Sequence, residues 1–258
     1  ALSTTQVGAL TTTQLGALST AQVAGLSSTQ IIALTTTQLG ALTSSQIGAL
    51  TTAQLRGLDT TDVAGLTTTQ VAGLTTTQLG SLTTTQLAAL ETTDLAALST
   101  TQIRGIAPSS IGALSTTQVG ALTTTQIGAL TTAQIGRIES TDIAALTTTQ
   151  IGALTSIQAR ALSTTQIRGL ETTDLTVLTT TQLRGLAATQ LGALTTTQLG
   201  ALTTTQVAAL ATTQVTGLTS GQVAGLTTTQ LGALVSSQIR ALTTAQLAGL
   251  TTTDVVAL

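Results

Sequence analysis

Residues 105–128 read GIAPSSIG, ALSTTQVG, ALTTTQIG, three octads in one frame. With octad positions numbered 1 to 8, Thr123 stands at position 3 and Gln126 at position 6. That spacing is a capping box: the hydroxyl accepts from the amide three residues on, and the Gln side chain reaches back to the cap's own N–H. Leu122 and Ile127 then occupy N′ and N4, the pair that forms a hydrophobic staple. Gly128 and Ala129 supply the stop, with Gly suited to a left-handed cap. Pro108 falls at position 4, the first helical residue, where its missing N–H costs nothing. The stretch predicts one short helix per octad.

The same frame runs through the whole chain of 258 residues as 32 octads without insertion or deletion, followed by Ala257-Leu258. Position 2 is Leu except at Ile106 and Ile138, and position 7 is Val, Ile or Leu except at Ala159. Position 6 is Gln apart from Ser110 and five aspartates. No linker or composition change interrupts the array, which predicts a single continuous solenoid over residues 1–258.

Two fold classes compete. Thr, Val and Ile favour strands, so a β-solenoid is the alternative. Period-two alternation would put positions 4 and 6, Thr and Gln, inside with Leu, and that fits poorly. The all-α reading accounts for cap, staple, proline and stop together. A helix of one to one and a half turns is far below the ~12–15 residues needed to persist alone. Burying two large aliphatics gives about 3–6 kcal/mol, against an ordering cost on the order of 12 kcal/mol for eight residues. Successive coils must therefore stack into a narrow superhelix.

The charges agree with the helical frame. All nine acids sit at positions 3 or 6, in the N-terminal turn that the macrodipole favours for anions. They are the pairs Asp59/Asp62, Glu91/Asp94, Glu139/Asp142 and Glu171/Asp174, with Asp254 alone. Arg56, Arg104, Arg160, Arg168, Arg184 and Arg240 stand at position 8, and Arg137 at position 1, at the C-terminal end. These residues are read as helix-end charges, caps and ion-pair partners. The i, i+3 acid pairs belong to the capping box. Calcium asks for six to eight oxygens from a turn-rich cage.

A second period lies over the first. Asp62 and Asp142 are ten octads apart, as are Glu91 and Glu171, Asp94 and Asp174, Arg104 and Arg184, and Arg160 and Arg240. Tandem duplication explains such a unit. A structural reading is also open: several Arg and acid positions, such as Arg56 with Glu91 and Asp94, lie about five octads apart. Five octads per turn would set them across adjacent coils.

The chain uses only twelve amino-acid types, with no His, Cys, Met, Lys, Asn or aromatic residue. That excludes an ordinary zinc site, a thiol nucleophile, a Ser-His-Asp relay and a disulfide framework. No cofactor and no metal is expected, and no enzymatic activity. Net charge −2 has the wrong sign for a phosphate-binding surface, so nucleic acid is not an expected partner. Polar T-T-T-Q runs break every apolar patch despite a mean hydropathy of +0.46, which leaves no transmembrane segment. The absence of an initiator Met points to a piece of something longer.

The phrase LTTTQLGAL shares one capping box with the L-T-x-x-Q-V of TAL-effector repeats, without their length, base-reading positions or basic charge. Across its whole length the chain resembles octapeptide-repeat regions of very large bacterial secreted or surface proteins of adhesin-like type, with runs of A-L-T-T-x-Q-[IVL]-[GA] as at Ala121 to Gly128. The resemblance implies an extracellular or cell-surface structural role. The expected function is the shaft of a filament, sheath or adhesin stalk, with other copies of the chain as partner in a homopolymer or lateral bundle. Thr at positions 3 to 5, repeated on every coil, would form hydroxyl and methyl ladders. These suit inter-filament contacts, O-linked glycan on Thr or Ser, or the alternative function of binding ice or another ordered lattice.

Overall fold

The computed structural model describes residues 2–258. Every octad carries one helix of four to six residues, α1 (Thr4–Gly8) to α32 (Thr252–Ala257) in octad order. No strand occurs among the described residues, so the β-solenoid is not adopted. The reason is visible at Thr35 and the helix it opens, α5 (Thr36–Gly40). Its hydroxyl accepts from the Gln38 N–H and its own N–H donates to Gln38 Oε1 at 2.9 Å. Leu34 and Leu39, five apart, are then both buried on one side. A flat strand would send them to opposite faces.

The chain leaves each helix without a left-handed residue. No described residue, glycine included, has positive φ, which corrects the expected left-handed glycine cap. At the end of α5, Ala41 stays in the right-handed region (φ −83°, ψ −12°). The Leu42 N–H then closes on the Leu39 carbonyl at 3.1 Å, a tight i→i+3 turn. Leu at position 2 and the cap at position 3 are extended, as at Leu58 (φ −66°, ψ 142°) and Asp59 (φ −81°, ψ 176°). Two extended residues per octad are enough to turn the next helix.

The chain divides into two compact units, residues Ala1–Arg137 with α1 to α17 (Thr132–Ile135) and residues Ile138–Leu258 with α18 (Ser140–Ala144) to α32. Each unit is coiled in the same way. In the first, α6 (Ser44–Gly48) packs against α3 (Thr20–Ala24) and α9 (Thr68–Ala72), three octads before and after. In the second, α26 (Thr204–Ala208) packs against α23 (Thr180–Gly185) and α29 (Thr228–Leu231). The aliphatics of positions 2 and 7 fill the interior, with Ile47, Leu87, Leu175 and Leu191 fully buried. Among the described residues no helix is long and apolar enough to cross a membrane.

Glycine serves close approach instead of chain reversal. A Cβ on Gly192 would lie 2.8 Å from the Gly217 carbonyl oxygen, about three octads on, so the neighbouring backbones leave no room for it. One octad later, Gly200 has nothing within 4 Å of that position.

Candidate interaction surface

The buried feature that organises each coil is the glutamine of position 6. Gln46 is 2% exposed, although polar and next to a helix start. Its Oε1 accepts the Thr43 N–H at 2.7 Å, completing the box. Its Nε2 turns the other way and donates to the Leu15 and Leu18 carbonyls at 2.9 and 2.6 Å. The Leu15 carbonyl lies in the last turn of α2 (Thr12–Gly16), four octads back, and the Leu18 carbonyl in the link that follows it. In the second unit Gln206 does the same to Leu175 and Leu178 at 2.9 and 2.7 Å. A helix leaves four N–H groups unmet at its start and four carbonyls at its end. One carboxamide serves both needs, meeting an N–H at its own helix start and a carbonyl at the end of another helix.

These bonds fix the coil. They span 28 and 31 residues, while helix packing runs at three octads, so a coil holds about 28 residues, between three and four octads. The five-octad coil read from the charge spacing is therefore not formed. Arg56 lies in α7 (Thr52–Gly57), which packs against α4 (Ser28–Ile32) and α10 (Thr76–Ser81). Glu91 caps α12 (Thr92–Ala97), which packs against α9 and α15 (Thr116–Gly120). The two residues are not brought together. The period in charge is not a period in space.

The coil also bears on the threonine surface, because contacts between coils join unlike octad positions. A Cβ on Gly105 would come 2.9 Å from Thr76 Cβ, and one on Gly225 3.0 Å from Thr196 Cγ2. Position 4 of one coil thus lies against position 1 of another, which explains why position 1 is small. Position 3 hydroxyls are spent in the caps, many position 4 side chains are half-buried, and position 5 is exposed.

The acids sit where the helices start. Asp59 accepts the Asp62 N–H at 2.8 Å. Glu91 and Glu171 make no side-chain cap, and their N–H groups donate to Asp94 and Asp174 at 3.1 and 2.9 Å. Glu139 also caps without a side-chain bond, above buried Asp142. Asp254 accepts from both the N–H and the hydroxyl of Thr251. An aspartate at position 6 has no N–H to send to the previous coil. Asp62 and Asp94 instead accept from Thr36 and Thr68 hydroxyls at 3.3 and 2.8 Å, 26 residues back. Burial raises the Asp62 carboxyl above the usual aspartate value, with the Asp59 charge adding to it. Burial likewise raises Asp174, against the hydrogen bond from the Glu171 N–H, which lowers it, and with the Glu171 charge, which adds to the rise. Exposed Asp254 is lowered by its two bonds from Thr251.

Arg56, Arg104, Arg160, Arg168, Arg184 and Arg240 occupy last turns, and Arg137 follows α17; all are exposed. Pro108 opens α14 (Pro108–Ile111), whose cap, Ala107, has no side-chain bond. An open groove of the first unit is lined by Glu91, Thr92, Ser115, Thr117 and Gln118, with one carboxylate among them.

A family model described as the ALTTAQ repeat matches residues 1–28, 20–52, 44–76, 55–90, 87–132, 135–172, 167–204, 196–228 and 223–258. The chain belongs to the ALTTAQ repeat family. Among curated proteins no match is found. The family's defining letters are the ones the geometry uses: Ala for the small turn, Leu for the core, Thr for the cap, and Gln for cap and bridge together. The part of the ALTTAQ motif that cap logic alone does not reach is its Gln. Glu would serve the box equally and suit the helix dipole better. A near-invariant amide at that position is the available sign that its N–H₂ also has work.

Proposed function

We propose that the chain is a non-enzymatic structural element, the shaft of an extracellular filament, sheath or adhesin-type stalk assembled by self-association. The observation that carries this reading is the glutamine bridge. Most octads spend a buried glutamine on holding one coil to another, as at Gln46 and Gln206. What remains outside is mainly Thr, Ser, Ala and Gly with few charges. The twelve-letter alphabet adds support: it omits most residues prone to oxidation and offers trypsin-like proteases only arginines. Net charge near zero favours association.

Sedimentation velocity and negative-stain electron microscopy of the purified chain test the proposal. Concentration-dependent growth into elongated assemblies near the pI of about 4.8 is expected. A monodisperse monomer across that range overturns it.

A further inference from the structure

Resting on that reading, we infer that copies pair side to side, the arginine-bearing side of one coil against the carboxylate-bearing side of a second copy. The inference comes from reading the charges against a coil of about 28 residues, within each unit separately.

In the second unit, Arg184 and Arg240 are seven octads apart, two full coils, and so share a side. Arg160 joins them, because α20 (Ser156–Ala161), which carries it, packs directly against α23, which carries Arg184. The acids lie half a coil away. Asp254 follows Arg240 by half a coil, and Glu171 precedes Arg184 by nearly the same interval. Glu139, four octads before Glu171, is within half an octad of the same line. Arg168, just before Glu171, is the one arginine on the acidic side.

The first unit repeats the separation independently. Glu91 follows Asp59 by four octads, one coil and half an octad. Arg104 stands half a coil after Glu91, whereas Arg137, two residues before Glu139, does not join its line. Arg56, just before Asp59, is again the arginine that stays with the acids.

The two sides are complementary, and a second copy of this chain offers both. All seven arginines are exposed, as are Asp59, Glu91, Glu139 and Glu171. Between the charges the surface is small and neutral, which lets two coils approach closely. Individual exposed ion pairs are weak. Several in line along a rigid coil act together, and salt screens them within about 8 Å at physiological ionic strength.

The test uses the full chain. Arg104, Arg160, Arg184 and Arg240 are replaced together by Gln, and a control carries Arg56→Gln and Arg168→Gln. Far-UV circular dichroism checks that both keep the helical spectrum. Association is measured by sedimentation velocity at 50 and 500 mM NaCl. We expect the four-site variant to weaken association by at least about tenfold, high salt to weaken the wild type comparably, and the two-site control to associate no less than the wild type. If the four-site variant and high salt leave association unchanged, or the control weakens it equally, side-to-side charge pairing is overturned while self-association stands. If the wild type does not associate at all, both fail.

Discussion

Helices α6 and α8 (Thr60–Ala64) occupy equivalent places in the first unit, yet the residue at their third helical position differs. Gln46 in α6 closes its own box and ties down the end of α2. Asp62 in α8 is buried too, at 9% exposure, but it is one methylene shorter and can only accept. It caps through Asp59 and takes a hydroxyl from Thr36, and its carboxylate has no donor for the carbonyls of the previous coil. Capping and carbonyl bridging are therefore separable duties. Gln performs both, whereas Asp caps and reaches the previous coil only by accepting a hydroxyl.

The contrast can be broken most severely by Gln46→Glu. The box survives, but a carboxylate replaces the donor that now sits 2.9 and 2.6 Å from two carbonyl oxygens. An unpaired buried charge of this kind costs about 3 kcal/mol or more. Thermal unfolding followed by circular dichroism should show the loss at neutral pH. Gln46→Ala is milder: it removes the bridge and half of the box without adding charge, with a loss of about 2 kcal/mol expected in urea unfolding. If Gln46→Glu costs no more than Gln46→Ala, the donor at this position is not what holds the coil. Asp62→Gln runs the comparison backwards. It restores a donor facing the α4 end and removes a buried charge, and should raise stability by about 1 kcal/mol.

The smallest effect is in pH. Asp62 and Asp174 are held above the ordinary aspartate value by burial, so the folded chain takes up their protons more readily than the unfolded chain. Their ionisation opposes folding. Their contribution is most favourable below the unfolded carboxyl value and declines as pH rises through the raised folded values. Asp254 runs the other way and is exposed. Melting curves between pH 3 and 7 should show a gain on acidification that shrinks in an Asp62→Gln/Asp174→Gln variant. An identical pH profile in that variant would assign the effect elsewhere.

Features written within a single octad are legible in the sequence. Thr43 to Gln46, Leu34 to Leu39 and the placement of Pro108 are local relations, and local rules are enough to find them. The bridge is not legible, because Gln46 and Leu18 are 28 residues apart and occupy unlike octad positions. A coil of between three and four octads leaves no repeat of like on like for a pattern search to find. The ten-octad spacing of the charges suggests a whole number of octads per turn instead. The role of glycine escapes for a related reason. Gly192 needs to be small because of Gly217, a neighbour that only the coil supplies.

The glutamine bridge has one more consequence. Each one ties a helix start to carbonyls 28 and 31 residues earlier, and neighbouring octads carry their own, as at Gln70 and Gln78. The coils of a unit are thus riveted at many separate points, like plates joined by a row of rivets. A pull along the unit loads the rivets of one coil together, and losing one, as where Asp62 stands, leaves those on either side in place.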